Sequence, residues 1–266
     1  MKKFRIIGMV LVAIIMGVNF TSCKPDDTPE DEPNEDSVEI PAKKLVKLEN
    51  NIYKLFFKYD DQGRLIECVD STLYSTRSYT ITYTYVWREN AIDISKRNDY
   101  NNTHKCTLIF ENGLASRINE DSYLYDSIFK YNSSNRLVKC DGRLGAKILE
   151  WNDDKLISYQ IDGPDIIGHR DYIYDKNSTT KGYNPIIPEE TTFDYLFVAH
   201  PELAGLTTQN LFDSRIGSNI IYDYELSYSN KYEYEFDEDG YVNKVIVTEV
   251  VEGGEEIMSE YTYVWE

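Results

Sequence analysis

An aromatic residue followed by a polar turn and then by an aliphatic residue recurs along this chain. The aromatic residues that precede such turns are Tyr59, Trp87, Phe110, Tyr131, Trp151, Tyr174 and Phe236. The turns are rich in Asp, Asn and Gly, and the flanking segments alternate between apolar and polar side chains. A strand that ends in a ring, a turn of this composition and a second apolar run are typical of a β-hairpin. Recurrence at roughly 20–30 residues predicts an array of hairpins with equivalent structural roles.

Two segments show the alternation most clearly. Tyr232–Phe236 alternates rings with glutamates, and Tyr79–Trp87 has an aromatic or aliphatic side chain at every second position. A period of two in such residues predicts antiparallel strands with one buried face. An even distance from the ring to the next aliphatic residue keeps both on one face if the hairpin is symmetrical. The odd distance from Trp151 to Leu156 predicts a β-bulge in that unit.

The first residues resemble the signal peptide of a bacterial lipoprotein. A basic start, with Arg5 as its last cation, precedes the apolar run Ile6–Val18, which is too short to span a bilayer. The run ends in Phe20–Cys23, where small residues before a cysteine resemble a lipobox. The resemblance implies a signal peptide over residues 1–22 and acylation of Cys23, which would anchor the chain stably. The alternative is an ordinary signal peptide with an incidental cysteine.

Residues 23–40 predict a disordered tether. This segment is acidic, contains several prolines and has no aromatic residue, so it cannot bury apolar surface. Its start, Lys24 followed by acids, resembles the signal that sends lipoproteins of the Bacteroidota to the outer face of the outer membrane. We therefore expect a lipid-anchored outer-membrane protein exposed at the cell surface. A tether facing the periplasm is the alternative, and residues 41–266 are expected to form a single domain.

Three hairpin units, Tyr59–Leu65, Tyr131–Leu137 and Phe236–Val242, resemble the tyrosine-aspartate repeat of bacterial Rhs-type shells. Together with the lipoprotein start and a late helical segment, they also resemble a family of uncharacterised Bacteroidota lipoproteins described as having a porin-like fold. That resemblance covers nearly the whole mature chain. It implies a β-barrel but no catalytic residues, because none are established for the family.

The fold class that we predict is all-β, an antiparallel hairpin meander of about 14 strands curled into a barrel or half-barrel. One short helical insertion is expected near residues 190–204, because Phe193, Leu196 and Phe197 have helical spacing there. We expect it either to pack on the sheet or to plug one end of the barrel. The barrel is not expected to span a membrane, since charged residues interrupt the second face of its strands. These residues are Lys58, Lys130, Glu150, Glu233 and Glu235.

The charge of the chain excludes one class of partner. Its formal net charge is −18, and removal of a signal peptide that contains basic but no acidic residues makes the mature chain more acidic still. A field of this sign repels phosphate backbones, and no cluster of Lys or Arg offsets it. We expect no nucleic-acid partner, and we expect contact with the membrane only through the lipid on Cys23.

No catalytic or metal-binding signature is present. Cys68, Cys106 and Cys140 lack zinc-ligand spacing and are expected to be strand residues, with a single disulfide as the alternative. The three histidines, His104, His169 and His200, are distant from one another and from any cysteine in sequence. The acidic run Asp237–Gly240 coincides with a hairpin turn and lacks the ligand spacing of a calcium loop. We expect no cofactor and no metal.

Three functions remain, in order of preference. The first is a non-enzymatic binding or interaction module, with a protein or glycan partner. The second is a glycan-capture protein that stacks sugars on exposed rings of Trp87, Trp151 and Trp265, although all three lie at strand ends where packing also requires a ring. The third is a hydrolase with unidentified acidic residues. The ligand and the oligomeric state are not encoded in any pattern that we recognise.

Overall fold

The computed structural model describes residues 42–74, 77–120, 127–142, 145–164, 166–191, 194–221, 224–251, 254 and 256–266. The predicted signal peptide, Cys23, the tether and Phe193 lie outside these residues. Ala42–Glu266 cluster as one compact unit.

The described residues form an antiparallel meander of sixteen strands that closes into a barrel, because β1 pairs with β16. The strands are β1 (Leu45–Glu49), β2 (Tyr53–Tyr59), β3 (Leu65–Tyr74), β4 (Arg77–Trp87), β5 (Ala91–Asn98), β6 (Thr103–Glu111), β7 (Leu114–Glu120), β8 (Ser127–Tyr131), β9 (Leu137–Gly142), β10 (Gly145–Asn152), β11 (Lys155–Asp162), β12 (Ile166–Ile173), β13 (Ser214–Ile221), β14 (Tyr224–Phe236), β15 (Val242–Val251) and β16 (Glu256–Trp265). The all-β barrel is confirmed, and the count of about 14 strands is wrong. The ring-marked turns identify hairpins at one end of the barrel only, and the connections at the other end share no signature.

Alternate side chains along each strand point into the barrel and out of it. In β4, Tyr83 and Tyr85 are buried whereas Thr84 between them is exposed. The inward side chains join in one apolar cluster that runs around the barrel. The five charged residues expected on the second face, Lys58, Lys130, Glu150, Glu233 and Glu235, are all exposed on the outer face. Each strand is therefore held by burial of one face only, as its alternation predicts.

A β-bulge follows the ring-marked turn in five described hairpins. At the first of them Tyr59 pairs with Leu65 but Lys58 pairs with Glu67, so Ile66 is an extra residue. The same offset occurs between β6 and β7, β8 and β9, β10 and β11, and β14 and β15. The bulge predicted after Trp151 is confirmed. Hairpins in which the distance from ring to aliphatic residue is even have a bulge as well. In each of them the second strand contains one extra residue shortly after the turn.

Three of these turns have the same internal geometry. A side-chain oxygen of Asp60, Asn132 or Asp237 accepts hydrogen bonds from the backbone N–H groups two and four residues later. The residue three positions later has a positive φ, which is 78° at Gly63, 60° at Asn135 and 88° at Gly240. Asp, Asn and Gly are the residues that satisfy these two requirements. The turn composition in the sequence therefore has a direct structural cause.

The meander is interrupted between β12 and β13 by a helical insertion. It contains α1 (Ile186–Thr191), α2 (Leu196–Ala199) and a 3₁₀ turn (Pro201–Ala204). The insertion is as expected, but its first helix begins before residue 190. The side-chain oxygen of Asn184 accepts a hydrogen bond from the Ile186 N–H at 3.1 Å, and proline is tolerated in a first helical turn.

The insertion fills one end of the barrel, which we call the closed end. Leu196, Phe197 and Val198 are fully buried, and the Phe197 ring lies 5.8 Å from the ring of Phe129 in β8. The three turns described above lie at this end, and so do both termini of the barrel. There, Lys44 and Glu266 exchange two backbone hydrogen bonds of 2.6 and 2.9 Å. The chain thus enters the barrel at its closed end.

At the opposite end, which we call the open end, inward side chains reach solvent. Leu226 of β14 and Ile257 of β16 both point into the barrel, yet they are 54% and 49% exposed. The space inside the wall, the lumen, is therefore accessible from this end. Among the described residues, no helix has the length and apolar character needed to cross a membrane.

Candidate functional site

A cavity lies in the lumen between the helical insertion and the open end. Its volume is about 160 Å³, room for roughly ten waters or one small molecule. The residues that line it are Ile186, Arg215, Asn230, Tyr232, Val247, Glu249, Ile257, Ser259, Tyr261 and Tyr263. Ile186 belongs to α1, and the others are on β13 to β16. The lining mixes polar groups, which can orient a ligand, with apolar and aromatic surface, which can supply contact area.

The polar part of the cavity is a chain of three side chains on adjacent strands. Arg215 pairs across the sheet with Asn230, and Asn230 pairs with Glu249. The Arg215 guanidinium donates a hydrogen bond to the Asn230 side-chain oxygen at 3.1 Å, and the Asn230 amide donates to a Glu249 carboxylate oxygen at 3.2 Å. Arg215 is 9% exposed and Asn230 is 2% exposed. A cation and an anion are thus fixed on one wall of the lumen.

Tyrosine rings hold Arg215 in position. Its guanidinium carbon lies 5.3 Å from the ring centroid of Tyr228 and 6.0 Å from that of Tyr232. Cations on ring faces at these distances are attracted by the ring quadrupole. Tyr232 and Tyr263 are nearly fully buried in the cavity wall. The site therefore combines a positioned charge with rigid aromatic surfaces.

The three tryptophans singled out by the sequence lie at the closed end, away from the cavity. Each indole N–H donates a 2.7 Å hydrogen bond to a backbone carbonyl on a neighbouring strand: Trp87 to Leu65, Trp151 to Leu137 and Trp265 to Val242. Trp265 is 7% exposed. The guanidinium of Arg64 lies 6.0 Å from the ring of Trp87, and that of Arg136 lies 5.2 Å from the ring of Trp151. The three indole rings therefore connect neighbouring strands of the barrel wall, and the structure does not bring them together in one site.

The same carbonyl contact recurs at the ring-marked tyrosines. The hydroxyl groups of Tyr59, Tyr131 and Tyr174 donate to the carbonyl oxygens of Leu45, Ala115 and Leu156 at 2.7 to 2.9 Å. In β14 Phe236 has no donor group and is 43% exposed, and the hydroxyl of Tyr234 bonds the Phe212 carbonyl instead. The recurring rings thus bond adjacent strands at one end of the barrel.

The three described cysteines lie on separate strands, Cys68 on β3, Cys106 on β6 and Cys140 on β9. Cys68 and Cys140 are fully buried at equivalent inward positions, and Cys106 is half-buried. Burial raises the pKa of the Cys140 thiol to about 12 and that of the Cys68 thiol well above its ordinary value. A thiol that stays protonated is a poor nucleophile.

The histidines have separate surroundings. His104 is exposed on β6, and His169 lies on the outer face, 2.9 Å from Asp171. His200 ends α2, where its Nε2 accepts a hydrogen bond from the Leu65 N–H at 3.2 Å and its Nδ1 lies 2.7 Å from Glu202. With Nε2 accepting, the proton is on Nδ1 and is donated to Glu202. His200 thereby joins the helical insertion to the barrel wall.

Two carboxylates, Asp70 on the wall and Asp194 in the insertion, form hydrogen bonds between the insertion and the wall. The Tyr195 hydroxyl donates to Asp70 at 2.9 Å, and the Tyr85 hydroxyl donates to Asp194 at 2.8 Å. Asp194 also accepts from the Leu196 N–H at 2.9 Å, and burial raises the pKa of its carboxyl group. These bonds satisfy the polar groups that the insertion buries.

The carboxylates of the acidic turn Asp237–Gly240 already have partners within the protein. Lys43 forms ion pairs with Asp237, at 2.9 Å, and with Asp239, at 2.5 Å. The second oxygen of Asp237 accepts backbone hydrogen bonds within the turn. Among the described residues no group of His, Cys, Asp and Glu side chains has an arrangement that fits a metal ion.

Sequence reasoning did not identify Arg215, Asn230 and Glu249. A signal for one of them is present, because Asn230 interrupts the inward series of Tyr228, Tyr232 and Tyr234. A polar residue at an inward position of an aromatic strand has to find partners inside the barrel. Its partners lie on two other strands, so the constellation becomes visible only in three dimensions.

No protein-family model matches this chain, and no curated protein matches it in sequence. Among solved structures, the chain is similar to a porin-like protein from Bacteroides uniformis ATCC 8492, with a TM-score of 0.59 and 13% identity over 84% of this chain and 94% of that chain. A porin-like protein from Bacteroides vulgatus ATCC 8482 aligns at 11% identity over 84% of this chain and 99% of that chain, but its TM-score is only 0.38. At such low identity the first likeness concerns the fold alone, which in this chain is a closed antiparallel barrel.

Proposed function

We propose that this protein is a non-enzymatic binding module that holds a small molecule in the lumen of its barrel. The observation that carries the proposal is the cavity of about 160 Å³ in which Arg215, Asn230 and Glu249 form a bonded row beside tyrosine rings. The helical insertion blocks the closed end, so ligands enter and leave through the open end. This geometry fits a receptor better than a channel.

A lipid on Cys23 holds this module at the outer membrane, with the barrel exposed at the cell surface. The basic, apolar and Phe20–Cys23 segments at the start of the sequence support this anchor. The charged residues on the outer wall argue against a wall immersed in lipid, which requires an uninterrupted apolar band.

Glycan capture is the second candidate, and it draws on the cavity instead of the three tryptophans. Arg, Asn and Glu side chains beside tyrosine rings offer both donors and acceptors to hydroxyl groups, as well as apolar faces to a sugar ring. A hydrolase is less well supported. Glu249 is the sole carboxylate among the described residues that line the cavity, and the lining contains no histidine or cysteine.

A cavity-filling variant tests the proposal. Ser259 points into the cavity and the neighbouring Met258 points outward, so Ser259→Trp fills the cavity and Met258→Trp is a matched control on the same strand. The full chain, purified in detergent, is screened by thermal shift against neutral sugars, amino acids, organic acids and nucleotides.

We expect at least one of these classes to raise the melting temperature of the wild type and of Met258→Trp by a few degrees, as ligand in large excess over Kd does. Ser259→Trp, which near-ultraviolet circular dichroism must show to be folded, should lose the shift. If no class shifts the wild type, or if Ser259→Trp responds like the wild type, the lumen is not the binding site.

A further inference from the structure

His200 lies between the helical insertion and the barrel wall at the closed end. Its Nε2 accepts a hydrogen bond from the Leu65 N–H of β3 at 3.2 Å, and its Nδ1 lies 2.7 Å from a carboxylate oxygen of Glu202 in the 3₁₀ turn. The ring packs edge-on against the rings of Tyr59 and Trp87, whose centroids are 5.9 and 5.7 Å away. The side chain of His200 is 15% exposed, so its position between wall and insertion is fixed by packing as well as by hydrogen bonds.

The two hydrogen bonds of this ring depend on its protonation state in opposite ways. A ring nitrogen that accepts a hydrogen bond carries no proton, so the bond from Leu65 requires the neutral imidazole. In the imidazolium both nitrogens are donors, and an Nε2–H would then face the Leu65 N–H. The contact with Glu202 becomes an ion pair, but that carboxylate is 58% exposed, and exposed pairs contribute little. Protonation therefore removes a bond between insertion and wall and retains one within the insertion.

Other titratable groups near this ring keep their protons in the interval in which histidine titrates. Burial raises the pKa of the hydroxyl groups of Tyr59 and Tyr183 above its ordinary value, and the charge of Glu202 acts in the same direction. Burial also raises the pKa of the thiol of Cys68, which lies near Tyr59. A histidine ordinarily changes its charge between pH 5 and 8, whereas these three groups stay neutral there.

The charged groups of the wall beside the packed rings are mainly donors. The Lys44 ammonium nitrogen lies 5.5 Å from the ring centroid of Tyr59, and the guanidinium carbon of Arg64, which is paired with Asp60 at 2.7 Å, lies 6.0 Å from that of Trp87. Cations have no acceptor to offer a protonated Nε2, and positive charge nearby disfavours a further one. The wall therefore does not replace the bond that protonation removes.

We infer that His200 makes the seating of the helical insertion sensitive to pH. In mildly acidic surroundings the protonated ring releases the Leu65 N–H, and the segment around His200, which is α2 and the 3₁₀ turn, is held less firmly on the wall. Each of these elements is four residues long and depends on such contacts for its stability. The closed end of the barrel is thus the part of the wall that acid loosens first. The inference does not depend on a ligand in the lumen.

Hydrogen exchange resolved to single amides, on the full chain in detergent at pH 7.5 and pH 5, tests this inference. Protection factors, which correct for the intrinsic pH dependence of exchange, are compared at Leu65, in α2 and in β15. His200→Gln keeps an acceptor oxygen near the position of Nε2 but does not titrate in this interval. His169→Gln is the matched control, because it removes an imidazole from the outer face of β12.

We expect the wild-type protection factor at Leu65 to fall by about fivefold to a hundredfold from pH 7.5 to pH 5, as expected for a buried N–H that loses its acceptor. The amides of α2 should show a smaller fall, and those of β15 should stay within about twofold. His169→Gln should behave like the wild type, and His200→Gln should change by less than about twofold at Leu65.

Protection at Leu65 that is independent of pH in the wild type, or that falls equally in His200→Gln, overturns the inference. If His200→Gln does not fold, Glu202→Gln takes its place. The fall at Leu65 must persist in Glu202→Gln, because it originates at Nε2, and its loss there would assign the response to Glu202 instead. None of these results bears on the proposed function, which is tested separately by Ser259→Trp.

Discussion

At the scale of the residue, the strand-ending rings combine two physical properties. Each ring buries a large apolar area, and its O–H or N–H donates to a carbonyl oxygen on the adjacent strand, as Tyr131 does to Ala115 and Trp151 to Leu137. Phe110 occupies the same position without a donor, so its ring contributes burial but no such bond. The aromatic requirement was readable from sequence, whereas the choice of carbonyl was not, because donor and acceptor lie on different strands.

Lys147 gives a pH-dependent prediction at this scale. Its ammonium group loses its proton near pH 8 in the folded chain but near 10.5 when unfolded. Burying the charge costs stability in full below pH 8, and that cost disappears as pH rises through 8 to 10.5. Lys147→Met should therefore be more stable than the wild type at pH 7, with a difference that shrinks across that window and vanishes above it.

Urea denaturation at pH 7, 9 and 10.5 measures this difference. Lys58→Met serves as the control, because it makes the same substitution at a lysine that is exposed on the outer face. A Lys147→Met advantage that is absent at pH 7, or that persists unchanged at pH 10.5, contradicts the assigned burial of the charge.

At the scale of the element, the helical insertion closes one end of the barrel and leaves the lumen open at the other end only. Its short helices are too brief to be stable alone and depend on packing against the wall. Phe197 of α2 shows this packing, with its ring fully buried and 5.8 Å from that of Phe129 in β8. The sequence predicted a helical segment from apolar spacing. Whether that segment packs on the outside of the sheet or plugs one end of the barrel was left open by the sequence, since the choice depends on the width of the lumen.

At Gly205 the backbone of the insertion lies close to the backbone of the turn at Asn135. Gly205 has a φ of 61°, and a Cβ added there would lie 2.1 Å from the Asn135 carbonyl oxygen. Gly113 has a φ of 81° with open space around it, so it isolates the cost of backbone conformation alone. Gly113→Ala should cost about 1–2 kcal/mol of unfolding free energy. Gly205→Ala should cost a further 1–3 kcal/mol or so, because the contact has to open.

Chemical denaturation of both variants measures these costs. Gly205→Ala should also raise the fluorescence response to an apolar dye, as the buried side chains of the insertion become accessible. Equal destabilisation by the two substitutions shows that the insertion does not depend on this contact.

At the scale of the whole molecule, the chain is strongly acidic, with a formal net charge of −18. The lumen wall carries charges of both signs, among them Arg215 and Glu249 in the cavity. A net charge of this sign keeps the protein dispersed and away from anionic headgroups, so the proposed attachment to a membrane depends on the lipid. The proposed anchor can therefore be tested separately from the barrel.

Metabolic labelling with a palmitate analogue tests the anchor. Cys23→Ala should abolish labelling and release the protein from the membrane fraction, whereas Cys106→Ala, which removes a half-buried thiol of the barrel, should retain both. Protease added to intact cells should degrade the wild type if the barrel is at the surface. Labelling that survives in Cys23→Ala rules out the lipid anchor, and a barrel protected from protease rules out surface exposure.

The sequence by itself determined the repeating unit: a ring, a turn of Asp, Asn and Gly, and an alternating strand on either side. These features depend on residues within one hairpin, where φ preference and side-chain period act locally. The closure of β1 on β16, the number of strands and the row formed by Arg215, Asn230 and Glu249 were decided only by the tertiary structure. Each of them joins residues from different strands, and the register that brings these residues together is set by the packing of the whole barrel.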